Sequence, residues 1–295
     1  MIGVVFLHEI SIPKNQNSFL TLHGFTNIDL PMQQSIDLLR RKLGEIYPPG
    51  EIIGFTRMIF ESLCGYTPTD ILLHKDTILS EDIHRKIERI TDRLSQQEPI
   101  QYILGYTDFC GRRFDIAPGA LIPRPETEEL TRLVITENSG QPLRIADLGT
   151  GSGCIAVTLA LSLPGSKVEA WDISTEALEI AQCNARKHNA HVNFFQRDIL
   201  RYDVSELPEE SLDIIVSNPP YIRRCESRSM SANVLEYEPH IALFVPNESP
   251  LLFYEKIAKD SVRLLEAAGY KHIRIIKDLY EKNRFVSAIK PIRHG

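Results

Sequence analysis

The residues best suited to chemistry form the tetrapeptide Asn218-Pro219-Pro220-Tyr221, which follows an apolar run at residues 211–217. Proline fixes its own φ at about −65° and favours extended backbone in the residue before it, so this turn is stiff before a ligand arrives. The side-chain oxygen of Asn218 and the carbonyl of Pro219 can accept both hydrogens of a planar NH2 group. The turn therefore suits an amide or exocyclic amine, with Tyr221 over its flat face. A proline-rich turn without a chemical role is the alternative.

A second pattern is an apolar strand that runs into glycines and then into a helix, at residues 144–161. Because glycine lets the backbone approach a ligand, a turn in this position binds nucleoside-type cofactors at the carboxyl end of a parallel sheet. The G-x-G-x-G spacing differs from the dinucleotide fingerprint, and Asp147 just before it would repel a pyrophosphate. Asp147 is expected to face a cationic amino group instead. The alternative is that these glycines only form a tight turn, as in any α/β domain, and bind no cofactor.

The next predicted strand, at residues 167–170, ends in Trp171-Asp172. A carboxylate about 20 residues beyond the glycines is where this type of fold binds the hydroxyls of a ribose. Alternatively, Asp172 has no role in binding and is there only because acids are favoured near the N-terminus of a helix, here one that begins at Ser174.

Together these motifs resemble those of class I S-adenosylmethionine-dependent methyltransferases that act on a planar nitrogen. Further segments resemble signature segments of the HemK/PrmC family of protein glutamine methyltransferases; they lie at residues 98–105, 121–128, 237–243, 278–279 and 283–284. Pro-Arg-Pro-Glu-Thr-Glu, residues 123–128, is the specific part, since Asn-Pro-Pro-Tyr also occurs in enzymes that methylate DNA and RNA amines. The resemblance covers about residues 32–289.

The resemblance implies S-adenosyl-L-methionine as the cofactor, no metal, and the glutamine of the Gly-Gly-Gln loop of peptide chain release factors as the substrate. Asp198 would face the adenine amine, with Ile199 against the ring. Residues 123–128, the lid segment, would border cofactor and substrate, unless Thr127 and the acids around it only cap a helix. The implied cofactor-binding residues are Gly149, Thr150, Gly151, Ser152, Gly153, Asp172, Asp198, Ile199 and Asn218. The implied catalytic and substrate-binding residues are Asn218, Pro219, Pro220 and Tyr221.

Composition limits the function classes. The 295 residues, 43% of them hydrophobic, suffice for two domains with separate cores. No apolar run approaches the ~18 residues that span a membrane, so we expect no membrane association and a cytoplasmic location. Five widely separated cysteines indicate reduced thiols rather than disulfides or a zinc site. Because the net charge is −6 and no basic block stands out, direct binding of nucleic acid is not expected.

Helical periodicity dominates the N-terminal part and predicts a small helical bundle, which the resemblance makes a substrate-recognition domain at residues 32–100. Residues 1–31 lack sustained periodicity and are predicted to be a flexible lead. Residues 101–122 alternate around Cys110-Gly111 and predict a β-hairpin that joins the bundle to the remainder. The apolar stripes of the bundle are Ile36, Leu39 and Leu43; Ile52, Phe55, Ile59 and Leu63; and Ile83, Ile87, Ile90 and Leu94.

Strands and helices alternate over residues 123–295, which predicts an α/β domain with a parallel sheet and helices on both faces. The resemblance implies that this is the S-adenosylmethionine-binding domain, with a Rossmann-like class I methyltransferase sheet. The class I fold that the motifs resemble has one more strand and helix between residue 265 and the closing hairpin. Either a segment of about 20 residues is missing there, or the neighbouring strands pair with each other instead. Predicted strands lie near 143–148, 167–172, 191–196 and 211–217, predicted helices near 126–138, 152–162, 174–189 and 249–265, and the closing hairpin at 273–277 and 285–289.

Two other functions remain open. A DNA or RNA amino methyltransferase would flip adenine or guanine into the same turn, although the acidic balance and the lack of a basic, aromatic-rich element disfavour it. A non-catalytic protein that binds cofactor and translation factors is consistent with the missing strand. Methyl transfer to a release factor would distinguish the three.

Overall fold

The computed structural model describes residues 30–140, 142–202, 212–257, 271–277 and 283–289. The predicted flexible lead lies almost entirely outside these residues. So do the second half of the helix predicted at 249–265, the place of the missing segment, and the family-like pair at 278–279.

The N-terminal unit is a helical bundle whose core consists of the predicted stripes. Ile36, Leu39 and Ile87 are buried in one apolar cluster. The side-chain oxygen of Ser80 accepts a hydrogen bond from the backbone N–H of Ile83 at 3.4 Å and so caps the helix that carries the third stripe. The elements are β1 Leu30–Pro31, α1 Met32–Leu43, α2 Pro49–Cys64, α3 Pro68–Leu73, β2 Ile78–Leu79 and α4 Glu81–Ser95, with β1 antiparallel to β2. The predicted bundle is confirmed.

The link after the bundle is shorter than the hairpin predicted for residues 101–122. Its elements are α5 Ile100–Leu104, β3 Tyr106–Phe109 and β4 Arg112–Asp115, and only β3 and β4 pair, antiparallel. The strand expected at residues 101–104 is therefore wrong. A helical turn forms there because Ile100 packs into the bundle core while Tyr102 packs into a second cluster with Ile116 and Ile122. Gly105, with φ of 79°, ends α5 and turns the chain into β3.

Four parallel strands form the central sheet in the order β7-β6-β5-β8. Alternate side chains face opposite sides: Ile145 and Val216 lie in the core that contains α7, whereas Ala146 and Trp171 lie in a cluster on the other side that contacts Ile257. The elements are α6 Pro125–Glu137, β5 Arg144–Leu148, α7 Cys154–Ser162, β6 Lys167–Asp172, α8 Thr175–Lys187, β7 Val192–Gln196 and β8 Ile214–Ser217. The α/β class and the parallel sheet are confirmed.

The segment after β8 contains short elements that the sequence did not predict, and it ends in the predicted hairpin. The elements are β9 Ile222–Arg223, a 3-10 helix Arg224–Ser229, α9 Ala232–Tyr237, α10 His240–Leu243, β10 Phe244–Val245, a helix at 252–257, β11 Lys271–Lys277 and β12 Asn283–Ile289. Strand β9 is parallel to β10, and β11 is antiparallel to β12. Within the described residues, β11 and β12 pair only with each other, and β8 has no neighbour beyond β5. If a strand were missing, the hairpin of β11 and β12 could compensate by pairing with β8. The described residues show no such pairing.

Within the described ranges, no helix is long and apolar enough to span a membrane, and no three His, Cys, Asp or Glu side chains gather as metal ligands do. All five cysteines are free thiols.

Candidate active site

Three loops meet at the carboxyl edge of the sheet because the strands that precede them are neighbours. Leu148 in β5 pairs with Trp171 in β6 on one side and with Ser217 in β8 on the other. Neighbouring strands lie about 4.8 Å apart, so the residues that follow these three lie side by side. They are Gly149, Asp172 and Asn218, one from each predicted motif.

The turn at residues 149–153, called the glycine turn below, leaves open space at its outer side. Gly149 and Gly151 have φ of 76° and 55°, a left-handed backbone that glycine adopts without strain. The N–H groups of Gly149 and Thr150 donate to the carbonyl of Trp171 at 2.8 and 2.9 Å and anchor the turn to β6. A Cβ at Gly151 would meet no atom within 4 Å, and one at Gly149 only Ile199 Cδ1, at 3.9 Å. The turn therefore forms a cradle that a ligand can fill.

Asp172 uses both carboxylate oxygens on the backbone. Oδ2 accepts from the N–H of Gly151 at 2.8 Å and Oδ1 from the N–H of Ser174 at 3.0 Å. Burial raises the pKa of Asp172, while these N–H donors favour its charged form. Asp172 thus lies at the start of α8, as the alternative interpretation held, and it also fixes the glycine turn. Each oxygen keeps a second lone pair for a hydroxyl donor.

Asp147 does not face a ligand, contrary to the expectation from the sequence. It is 0% exposed because it lies on the inward side of β5, and its Oδ2 accepts from the hydroxyl of Thr150 at 2.6 Å. The side chains of Thr150 and Ser152 are also buried. The turn therefore offers a ligand its backbone rather than these side chains. Burial raises the pKa of Asp147 to about 7, and Asp172 adds a smaller repulsion.

The stability of the ligand-free protein should fall as the pH rises towards 7. The pKa of Asp147 is about 7 in the folded state, against 3.8 for an unperturbed carboxyl, so the folded state binds more protons between these values and the free energy of unfolding decreases with pH. The decrease from about pH 5 to about pH 8 corresponds to roughly 3 kcal/mol. Asp147→Asn, which cannot ionise, should lack this contribution and keep only the decrease that comes from the raised pKa of Asp172. Denaturant unfolding of both proteins at the two pH values checks this, and parallel profiles would contradict it.

The Asn-Pro-Pro-Tyr turn at residues 218–221, called the acceptor turn below, is held by the lid segment. The side-chain nitrogen of Asn218 donates to the hydroxyl of Thr127 at 3.0 Å, and Thr127 is buried. The lid segment does begin a helix, but Arg124 is the residue before its first turn and Pro125 opens it, so the alternative that Thr127 caps the helix is wrong. Its hydroxyl contacts Asn218 instead. The sequence held no sign of this contact, since 91 residues separate the two.

Glu238 holds the lid segment from another side. Its side chain is 1% exposed, and its carboxylate accepts from Arg124 Nη2 at 2.5 Å and from the backbone N–H of Ile122 at 3.2 Å. The neighbouring Tyr237 donates its hydroxyl to the carbonyl of Gln96 at 2.8 Å. The family-like segment at 237–243 therefore connects the lid segment to the end of the bundle.

The rest of the acceptor turn differs in exposure from residue to residue. Pro219 is buried, and Asn218 and Pro220 are half-buried. Tyr221 is 43% exposed, so it is not an aromatic of the core, and its ring lies within reach of a ligand from solvent.

Asp198 and Ile199 follow β7 on the far side of the glycine turn. Asp198 accepts from the N–H of Leu200 at 2.9 Å and pairs with the exposed Arg201 at 3.3 Å. Ile199 belongs to the cluster around Trp171 and is the side chain nearest to the open space at the glycine turn. Its position suits contact with a flat ring.

Asn184 is a site residue that sequence reasoning missed. It is fully buried in α8, where its Nδ2 donates to the carbonyls of Asp115 and Ser152, each at 2.9 Å, and its Oδ1 accepts from the N–H of Asp115 at 2.7 Å. The amide thus joins β4 to the glycine turn. The available signal was an asparagine on the same helical face as the small apolar Ala177 and Ala181.

Comparison with known proteins places this architecture. Residues 40–105 match the family model "PrmC N-terminal domain", and residues 109–236 match "Methyltransferase small domain". A release factor glutamine methyltransferase of Bacteroides thetaiotaomicron is 44% identical over 272 residues, which cover 85% of this chain and 97% of the relative. This chain belongs to the release factor glutamine methyltransferase family.

Two further members show the same relationship. The enzyme of Flavobacterium psychrophilum is 40% identical over 270 residues, 83% of this chain and 94% of the relative. That of Streptococcus pneumoniae is 38% identical over 247 residues, 81% of this chain and 86% of the relative. The resemblance drawn from the motifs is therefore confirmed, and with it an S-adenosylmethionine-dependent methyltransferase of the class I fold.

The alignment with the Bacteroides family member also bears on the missing segment. Its 272 aligned positions exceed 85% of the 295 residues of this chain, so that relative carries residues without a counterpart here. The alignment lengths do not locate these residues, so the missing segment near residue 265 stays a prediction.

The described residues of this family member fit S-adenosylmethionine. The open cradle at Gly149 and Gly151 admits a ligand against the backbone, and Asp172 keeps acceptor capacity beside it.

Replacing Asp172 should weaken binding of this cofactor. We expect Asp172→Ala to cost about 1.5–3 kcal/mol of binding free energy, the range for hydrogen bonds to a charged group. Asp172→Asn should also weaken binding, because its NH2 group would face the backbone N–H of either Gly151 or Ser174. Calorimetric titration with S-adenosylmethionine measures both. Equal affinity in all three proteins would mean that Asp172 serves only the start of α8 and the glycine turn.

Proposed function

We propose that this enzyme methylates the side-chain amide nitrogen of the glutamine in the Gly-Gly-Gln loop of peptide chain release factors. The observation that carries the proposal is the register of the sheet: Leu148 pairs with Ser217, so the cofactor turn and the acceptor turn leave neighbouring strands together. Membership of the family supplies the protein substrate. A release factor as partner and a cytoplasmic location belong to this proposal.

The chemistry requires alignment above all. When bound, S-adenosylmethionine supplies an electrophilic methyl group on a sulfonium. The side-chain oxygen of Asn218 and the carbonyl of Pro219 accept the two N–H hydrogens of the glutamine amide, which raises the electron density on nitrogen and fixes its direction. Such alignment can contribute ~7–11 kcal/mol to lowering a barrier. Tyr221 covers the flat face of the amide, and Pro220 keeps the turn rigid.

The proton balance needs no dedicated base. Bound S-adenosylmethionine would supply the methyl group to the amide nitrogen and keep the electron pair of the broken carbon–sulfur bond on its sulfur. The nitrogen becomes strongly acidic and loses one proton to water. Asn218 and Pro219 accept the two N–H hydrogens up to that step, one of them keeps the remaining N–H of the methylated amide, and neither takes up a proton.

The cofactor contacts divide among the three loops of the carboxyl edge. Asp172 would accept from the ribose hydroxyls, Asp198 from the adenine amine, and Ile199 would pack on the ring. Asn218 borders both cofactor and substrate. The glycine turn would contact the methionine and ribose portion through backbone atoms of Gly149, Thr150, Gly151, Ser152 and Gly153.

The bundle, residues 32–100, would bind the body of the release factor. A three-residue loop offers little surface for specificity, whereas two-point attachment raises effective affinity. The bundle has its own core and exposes five large apolar side chains, of which Leu72 at 68% and Leu73 at 72% are the most exposed. Its last helix is linked to Tyr237 through Gln96, so a partner on the bundle lies on a unit joined to the site.

One experiment separates this function from the alternatives. The protein is incubated with methyl-labelled S-adenosylmethionine and either a release factor or a mixture of DNA and RNA, and mass spectrometry locates the label. Label on the glutamine of Gly-Gly-Gln is the expected result. Label on adenine or guanine amines would overturn the proposal in favour of a nucleic-acid enzyme. Cofactor binding without transfer to any of them would favour a non-catalytic binding protein.

A further inference from the structure

We propose that Thr127 is a positioning residue for methyl transfer, because its hydroxyl holds the side-chain NH2 of Asn218 and so turns the side-chain oxygen towards the acceptor nitrogen. The inference rests on the proposed function of Asn218 and deepens it. Its basis is the 3.0 Å contact from Asn218 Nδ2 to Thr127 Oγ1.

The orientation of the Asn218 amide decides whether the site can work. The two ends of a carboxamide have nearly the same shape, yet one accepts hydrogen bonds and the other only donates them. A glutamine NH2 that must keep its lone pair free needs an acceptor in front of each hydrogen. If the Asn218 amide were flipped, its NH2 group would face the NH2 group of the substrate glutamine, and neither can accept a hydrogen bond there. A hydroxyl can accept from Nδ2 or donate to Oδ1, but only the first arrangement satisfies Thr127 and the substrate amide together.

Thr127 is well placed to impose this choice because it is itself fixed. It is buried in the first turn of α6, and a β-branched side chain in a helix has few rotamers. The start of the helix is held in turn by the ion pair between Arg124 and Glu238. The hydroxyl therefore reaches Asn218 from a rigid element.

Thr131 provides a matched control on the same helix. It is a fully buried threonine whose hydroxyl bonds only to the helix backbone, one turn beyond Thr127. Thr131→Val removes a buried hydroxyl from α6 without touching Asn218. Thr127→Val removes the contact at nearly constant volume, and Thr127→Ser keeps the hydroxyl.

Steady-state methylation of an intact release factor tests the inference. We expect Thr127→Val to lower kcat about tenfold, the effect of one hydrogen bond, with KM and the affinity for S-adenosylhomocysteine within about twofold. Thr127→Ser should restore kcat to within about threefold of the wild-type value, and Thr131→Val should leave it unchanged. A full kcat for Thr127→Val, or an equal loss in Thr127→Val and Thr131→Val, would overturn the inference.

A parallel variant separates failure of this inference from failure of the proposed function. Normal turnover of Asn218→Ala would remove Asn218 from the mechanism, whereas an inactive Asn218→Ala beside a fully active Thr127→Val would reject Thr127 alone.

A second measurement does not depend on turnover. In protein labelled with ¹⁵N-asparagine, the side-chain NH2 signal of Asn218 is identified by its loss in Asn218→Ala. Its hydrogens should exchange with water faster in Thr127→Val, and in Thr127→Ala should the valine variant not fold. Unchanged exchange in a folded variant without the hydroxyl would overturn the inference.

Discussion

Asn218→Ala should lower the rate of methyl transfer by ~10²–10³ while leaving S-adenosylmethionine affinity within a few-fold. Removing one preorganised hydrogen-bonding group at a reacting centre costs about this much in other enzymes, and here alanine also loses the group that directs the amide. The effect on the cofactor is small because Gly149 and Asp172 form the cradle without it. Single-turnover methylation of a release factor and calorimetric titration measure the two quantities.

Asn218→Asp serves as the companion variant. A carboxylate still accepts two hydrogen bonds, but its charge carries a desolvation cost in a closed pocket. For a glutamine amide we expect a rate between those of the wild type and Asn218→Ala, and a milder effect for an exocyclic amine. A rate for Asn218→Ala near that of the wild type would contradict the assigned role of Asn218.

Gly153→Ala should strongly destabilise the protein and impair cofactor binding. Gly153 has φ of 79° at the start of α7, and a Cβ there would lie 2.8 Å from Ala181 Cβ and 3.0 Å from Ala181 Cα in α8. A left-handed alanine costs ~1–2 kcal/mol and overpacking ~1–3 kcal/mol, so we expect a total of roughly 3 kcal/mol and a loss of roughly 5–10 °C in Tm. Separation of α7 from α8 would also displace the glycine turn. Thermal melting and calorimetry measure both effects.

Two variants separate strain from crowding at this position. Gly151→Ala meets the same left-handed backbone, with φ of 55°, but no atom within 4 Å, so it should cost only ~1 kcal/mol of stability. Ala181→Gly should recover part of the stability lost in Gly153→Ala, because it removes the nearer contact. Equal melting losses for Gly151→Ala and Gly153→Ala would show that helix packing contributes nothing.

Local patterns were sufficient for most of the secondary structure. The helix that carries Ile83 to Leu94 and the strand that ends at Leu148 were predicted within a few residues. Apolar residues spaced 3.6 apart indicate one buried face of a helix, and a short continuous apolar run indicates a buried strand. The helix Ile100–Leu104 lies largely within residues 101–122, which were predicted to be a β-hairpin. Its five residues are too few to show a helical period, and they divide between two cores, so only contact with both decided their conformation.

The sequence by itself determined where the glycine turn and the stiff Asn-Pro-Pro-Tyr turn lie, since glycines and prolines act on their own backbone. It also determined that these turns meet, because consecutive parallel strands end at one edge. Only the tertiary structure decided how the site is held. Thr127 reaches Asn218 across 91 residues, Arg124 reaches Glu238 across 114, and Asn184 joins the hairpin to the glycine turn across 69. Polar partners so far apart leave no periodic trace, because each contact depends on the packing of whole elements. For the same reason the inward position of Asp147 became evident only in the folded chain, where burial rather than motif spacing sets its ionisation.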